Sequence, residues 1–207
     1  MKTLKNRNRI LVGVVAVLML LVYVLPVWQV NLEAPMYPEG LSMHIWLYNV
    51  TGGEEFDLRN INLLNHYVGM KEIHKSMFPE FLIMPYIMGF MILGAIITVL
   101  FPRRLLVYLG LGNLVIVGAA GLFDYYKWAH DYGHNLKEGA PLVIPGMAYQ
   151  PPLLGCKELL NFVACSWPHW GGWLLVLSGL ILILILYDEI RGLPFFEGTS
   201  AGGTGHG

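Results

Sequence analysis

The chain has 207 residues, of which 56% are apolar and only 13% charged, with a formal net charge of -1. An average soluble domain carries roughly a quarter charged residues, so the deficit points to membrane spans rather than a large water-soluble core. The near-neutral balance supplies no basic field for a nucleic-acid partner, and two cysteines are too few for a disulfide scaffold or a zinc-finger pattern.

In chain order, a basic N-terminus (1–9, with Lys2, Lys5, Arg7 and Arg9) precedes a first apolar run at 10–28. A signal peptide would begin in the same way. This run is longer than a usual signal core and no small-x-small site follows it, so a retained anchor is expected. Further runs lie at 81–101, 105–123 and 170–187, and none of the four has Lys, Arg, Asp or Glu in its interior. A span needs about 20 apolar residues. The expected fold is therefore an all-α integral membrane protein, a four-helix transmembrane bundle with a small mixed outer cap. Arg103 and Arg104 fill the turn at 102–104 and Arg191 follows the last run. With the basic N-terminus they put both termini in the cytoplasm, and the glycines and alanines of the second and third runs would let those helices approach closely. Trp28, Trp128, Trp170 and Trp173 fall near the outer ends of the runs, where indole rings favour the headgroup region.

The outer loops are 29–80 and 124–169. In the first, residues 31–40 read as turns. Residues 41–50 alternate, with Leu41, Met43, Ile45 and Leu47 on one side and Ser42, His44, Trp46 and Tyr48 on the other, which predicts a half-buried strand. Residues 60–77 read as a helix near the membrane surface. In the second loop the third helix could run on through Asp124–His134, prolines suit an extended segment, and 153–165 suits a short amphipathic helix. The tail, 188–207, reads as largely disordered.

Chemistry concentrates in these loops. On a helix over 60–77, His66, Met70, His74 and Met77 fall within roughly an 80° arc. Imidazole and thioether together suit Cu(I), although amphipathic packing alone produces the same stripe. His130 and His134 share a helical face and could bind one metal, with Asp124 or Asp131 orienting a ring; the alternative is a hydrogen-bonded polar cap, and Gly133 weakens the helix there. Cys156 and Cys165 could bridge in an oxidising compartment, but on a regular helix they lie about 13 Å apart, too far without a bend; buried free thiols are the expectation. Haem-attachment, dinucleotide, Walker, zinc-protease and serine-elbow motifs are absent.

Four strings are distinctive: Glu33-Ala34-Pro35-Met36-Tyr37-Pro38-Glu39-Gly40-Leu41, residues 61–71 around Asn65-His66-Tyr67-Val68-Gly69-Met70, His130-Asp131-Tyr132-Gly133-His134-Asn135-Leu136, and Pro145-Gly146-Met147-Ala148-Tyr149-Gln150-Pro151-Pro152. They resemble a family of small bacterial membrane proteins encoded with the nitrous-oxide reductase genes of the clade that uses the Sec export route. The resemblance covers about residues 10–192 and implies a copper context, because that reductase carries copper centres outside the cytoplasm. Three roles follow as expectations. One is an accessory protein of the inner membrane for a periplasmic copper enzyme, holding or passing Cu(I) through His66, Met70, His74 and Met77, with His130 and His134 closing the site. Another is a non-catalytic anchor docking a periplasmic reductase, a cytochrome or an ABC-type maturation partner. The last is a quinol-linked subunit with a cleft near Asp124, Tyr125, His130 and His134.

Overall fold

The computed structural model describes residues 3–142, 146, 148–159 and 161–191. The expected disordered tail after Arg191, with His206, lies outside the described residues, as do Pro145 and Met147 of the second loop.

The fold is mixed α/β, which corrects the all-α expectation. Among the described residues, five α-helices, α1 (Asn6–Leu21), α2 (Asp57–Val68), α3 (Met84–Leu100), α4 (Arg104–His134) and α5 (Trp170–Arg191), are joined by five strands, β1 (Trp28–Ala34), β2 (Tyr37–Ile45), β3 (Val50–Gly52), β4 (Gly155–Leu159) and β5 (Phe162–Pro168). The strands form one antiparallel sheet in the order β3-β2-β1-β5-β4. Two helices of the described residues, α4 with 31 residues and α5 with 22, are long and apolar enough to cross a membrane. The other two apolar helices are shorter, 16 residues in α1 and 17 in α3. At 1.5 Å per residue they reach only about 24–26 Å, against roughly 30 Å of hydrocarbon.

The sheet arises where the first apolar run gives way. After α1 ends at Leu21, Pro26 breaks the pattern and residues 28–34 alternate: Trp28, Val30 and Leu32 face one side, Gln29, Asn31 and Glu33 the other. That period of two suits a half-buried strand. Val30 pairs with Met43 and Leu32 with Leu41, so the apolar sides of β1 and β2 coincide. Between Leu32 and Ala34 the register shifts, opposite Gly40, whose φ of 78° suits a bulge. The predicted strand is present in β2 with the predicted facing, but it begins earlier and stops at Ile45.

Two cores result. In the first, α1, α3, α4 and α5 pack in a ring, each against two neighbours, around Val15, Met19, Val22, Met88 and Ile185. In the second, the apolar face of the sheet packs on α2 and the last turns of α4, through Val30, Met43, Ile61, Tyr132 and Tyr149. Helix α4 belongs to both, and at about 46 Å it outreaches the bilayer core. The outward faces of the ring stay apolar: Ile116 and Ile10 are 68% and 69% exposed, and the most apolar stretch of α4 is almost entirely uncovered. So large an apolar collar calls for lipid or a partner.

At one end of the ring, the start of α1 meets the end of α5. Asn8 donates to Asp188 and Glu189 at 2.8 and 2.6 Å, Lys5 and Arg7 pair with Asp188, and Arg104 pairs with Glu189 at 2.7 Å. Asp188 and Glu189 are buried there. The last helix therefore runs past Tyr187, the expected end of the span, because these carboxylates have partners.

The small-residue reading of the second and third runs is not supported. A Cβ on Gly94, Gly110, Gly112 or Gly118 would meet nothing within 4 Å. Close backbone approaches lie elsewhere. A Cβ on Gly172 would stand 2.3 Å from the Val27 carbonyl oxygen, and one on Gly133 would stand 2.4 Å from the Gln150 backbone. Trp170 and Trp173 are exposed as interface residues would be, whereas Trp28 donates to Ser166 Oγ at 2.7 Å and Trp128 stacks on Tyr132 with ring centres 4.7 Å apart.

Candidate functional site

The sequence places four candidate ligands on a helix over 60–77. The structure ends that helix at Val68, where Gly69 takes a left-handed cap with φ 80°. Residues 70–74 form no helix or strand, and a single 3-10 turn follows at Lys75–Met77. The expected arc of His66, Met70, His74 and Met77 is therefore not formed. His66 and His74 are exposed, Met77 is half-buried, and Met70 is buried in the second core. The cause is Gly69: once the chain turns left-handed there, Met70 swings under the sheet instead of continuing the stripe.

The two outer loops do meet. Gly69 accepts the amide of Lys137 at 2.7 Å, Tyr67 accepts that of Leu142 at 2.9 Å, and Lys71 pairs with Asp131 at 2.7 Å. His130 and His134 lie beside this seam on exposed turns of α4. Their rings are stacked 4.1 Å apart, and one ring nitrogen, Nδ1 of His134, hydrogen-bonds the His130 carbonyl at 2.9 Å. Helix α4 continues to His134 despite Gly133, which has no side chain because Gln150 crosses against it and Tyr149 donates its amide to the Gly133 carbonyl.

Copper can be tested against these groups. Among the described residues no three His, Cys, Asp or Glu converge on one point, and Cys156 and Cys165 are joined in a disulfide. The expectation of an amphipathic helix with free thiols is corrected on both counts. The segment is a β-hairpin in which Cys156 faces Cys165 directly, with Cα atoms 4.0 Å apart, so the nine-residue offset becomes a cross-strand pair. Of the expected ligands, the structure brings together only the exposed His130–His134 pair, which offers two imidazoles and no thioether.

Sequence reasoning did not find three other features. One is a pair of histidines, His44 on β2 and His169 at the start of α5, with ring centres 4.7 Å apart. Burial lowers the pKa of His44 against the opposing pull of Asp57; burial, then the charge of His44, lowers that of His169. Another is a cleft of about 310 Å³ where the sheet meets the bundle, lined by Met84, Met88, Glu80, Asp124, Tyr125 and Trp128 among others. It includes two of the four residues of the expected quinol cleft, Asp124 and Tyr125, but not His130 or His134. The Tyr125 hydroxyl is engaged with Ser166 Oγ at 2.9 Å. The third is a cavity of about 350 Å³ in the second core, between the sheet, α2 and the end of α4. Only the carboxylate–aromatic run at 124–134 hinted at any of these, since burial of Tyr149 depends on strands that the sequence pattern does not reveal.

No protein-family model matches the chain, and no curated protein matches its sequence at significance.

Proposed function

We propose that the chain is a multi-pass protein of the bacterial cytoplasmic membrane that presents its sheet on the periplasmic side as a docking and assembly platform for a periplasmic copper enzyme, the nitrous-oxide reductase of the Sec-exported clade. The observation that carries this reading is the division of the molecule: an apolar-surfaced helix ring at one end, and at the other a sheet closed by a disulfide. Disulfides persist where the compartment is oxidising. The basic residues Lys5, Arg7 and Arg104 gather at the opposite end of the ring, as retention of positive charge in the cytoplasm requires. The outward face of α2 supports docking, since Leu63 and Tyr67, one helical turn apart, are 49% and 56% exposed, and Phe56 just before the helix is 57% exposed. The four sequence strings resembling the reductase-linked family supply the partner class.

The test is affinity purification of the tagged protein from a nitrous-oxide-respiring host. The reading expects the reductase or one of its maturation proteins to co-purify with the wild type and to be lost with Leu63→Lys/Tyr67→Lys. Recovery of the same partners with both would contradict it.

A second reading, Cu(I) handling, is favoured by the stacked His130–His134 pair alone. Anaerobic loading with Cu(I) in competition with a calibrated chelator should then leave about one copper per chain, lost in His130→Ala/His134→Ala and kept in His66→Ala/Met70→Ala. No retained copper in the wild type would remove this reading and leave the docking role intact.

A further inference from the structure

The cavity of about 350 Å³ beneath the sheet is large enough for a small molecule. Among the described residues its walls include no Lys, Arg, His, Asp or Glu. A charged ligand would be stripped of water there without compensation. Its lining is nevertheless not wholly apolar. Tyr149, 1% exposed, and Trp128 both line it, and among the described residues neither the Tyr149 hydroxyl nor the Trp128 Nε1–H has a hydrogen-bond partner. The Tyr132 hydroxyl lies toward Asn65 without a hydrogen bond of ordinary geometry. Unpaired buried donors are rare, because each costs about 1–3 kcal/mol. An indole N–H can only donate, so whatever satisfies Trp128 must accept. Aromatic faces surround these donors: Trp128 stacks on Tyr132, and Tyr149 on Phe162.

We infer that this cavity binds a neutral, flat, largely apolar molecule carrying carbonyl acceptors, the chemistry of a quinone ring. The carbonyl oxygens accept from Tyr149 and Trp128 while the ring lies among the aromatic walls. The cavity adjoins a second space that reaches the apolar surface of the helix ring. Met43 and Trp128 line both this cavity and the cleft at the bundle–sheet junction, so the two spaces abut across these side chains. The cleft in turn is bordered by Leu122 and Val176, which are 42% and 48% exposed on the apolar surface of the helix ring. The binding site stands independently of the docking role.

The test is equilibrium dialysis of the full chain in detergent micelles, with empty micelles as the partition control. The probe is duroquinone, compared with durene, which has the same methylated ring and no carbonyls. The expected result is saturable binding of about one duroquinone per chain, with durene about tenfold weaker. Tyr149→Phe, which removes only the hydroxyl, should weaken duroquinone about five- to tenfold and leave durene unchanged. Duroquinone uptake no greater than empty micelles show, or equal binding of duroquinone and durene to the wild type, would overturn the proposal. The wild-type comparison decides the matter even if the variant fails to fold.

Discussion

Glycines in this protein divide sharply by what surrounds them. Gly133 lies where α4 crosses residues 149–150, and a methyl there would stand 2.4 Å from backbone atoms that cannot rotate away. Gly133→Ala should therefore cost about 1–3 kcal/mol through overpacking. Gly118→Ala, with nothing within 4 Å, should gain up to about 1 kcal/mol from helix propensity. Thermal unfolding in detergent separates the two, and equal behaviour would refute the crossing. The His44–His169 pair makes a prediction in pH. Both pKa values are lowered by burial from 6.5. The neutral pair therefore contributes stability that is fully present above about 6.5 and is lost as pH falls through the lowered folded values. The unfolding temperature should drop as pH falls below about 6.5, and His44→Gln/His169→Gln should flatten that drop. A variant profile parallel to the wild type would exclude the pair as the cause.

At the scale of elements, the hairpin β4–β5 owes its register to the Cys156–Cys165 bridge and to the pairing of β5 with β1 along Trp28–Glu33. Closing so short a loop constrains the unfolded chain by about 2–3 kcal/mol. Cys156→Ser/Cys165→Ser should lower the unfolding midpoint accordingly and raise proteolysis first within 148–168, a change that limited digestion and mass spectrometry would locate. These elements also show what the sequence made legible. Strand β2 was readable because Leu41, Met43 and Ile45 alternate with Ser42 and His44. Strand β1 carries the same alternation in Trp28, Val30 and Leu32, but Trp28 closes the first apolar run and Pro35, Pro38 and Gly40 make 31–40 read as turns. The 60–77 helix failed at Gly69, since a single left-handed cap rotates everything after it and dissolves the His/Met stripe. Helix α4 continued where Gly133 argued against it, because tertiary contact with residue 150 rather than helix propensity set that position.

On the scale of the whole molecule, each of the four apolar runs contains a helix, but only α4 and α5 are long and apolar enough to cross a membrane, and the first run leaves its helix at Leu21 and ends in a strand at Trp28. The all-α assignment failed because loop composition near a membrane hides strands: the sheet's residues are split between 28–52 and 155–168, and only their long-range pairing reveals it. The candidate site was legible in part. His130 and His134 were placed together, whereas the cavity donors Trp128 and Tyr149 come from segments whose proximity no spacing rule predicts. The ion cluster of Lys5, Arg7, Asn8 and Arg104 with Asp188 and Glu189 closes one end of the ring, and the disulfide-bonded sheet closes the other. In the proposed multi-pass arrangement these two ends face opposite sides of a bilayer. The most direct measurement uses the two native cysteines: intact spheroplasts are treated with a membrane-impermeant maleimide of known mass, with and without prior exposure to an impermeant reductant. The account predicts no labelling before reduction and two labels per chain after it, without lysis. Labelling that needs no reductant, or that needs the membrane to be broken, would contradict it.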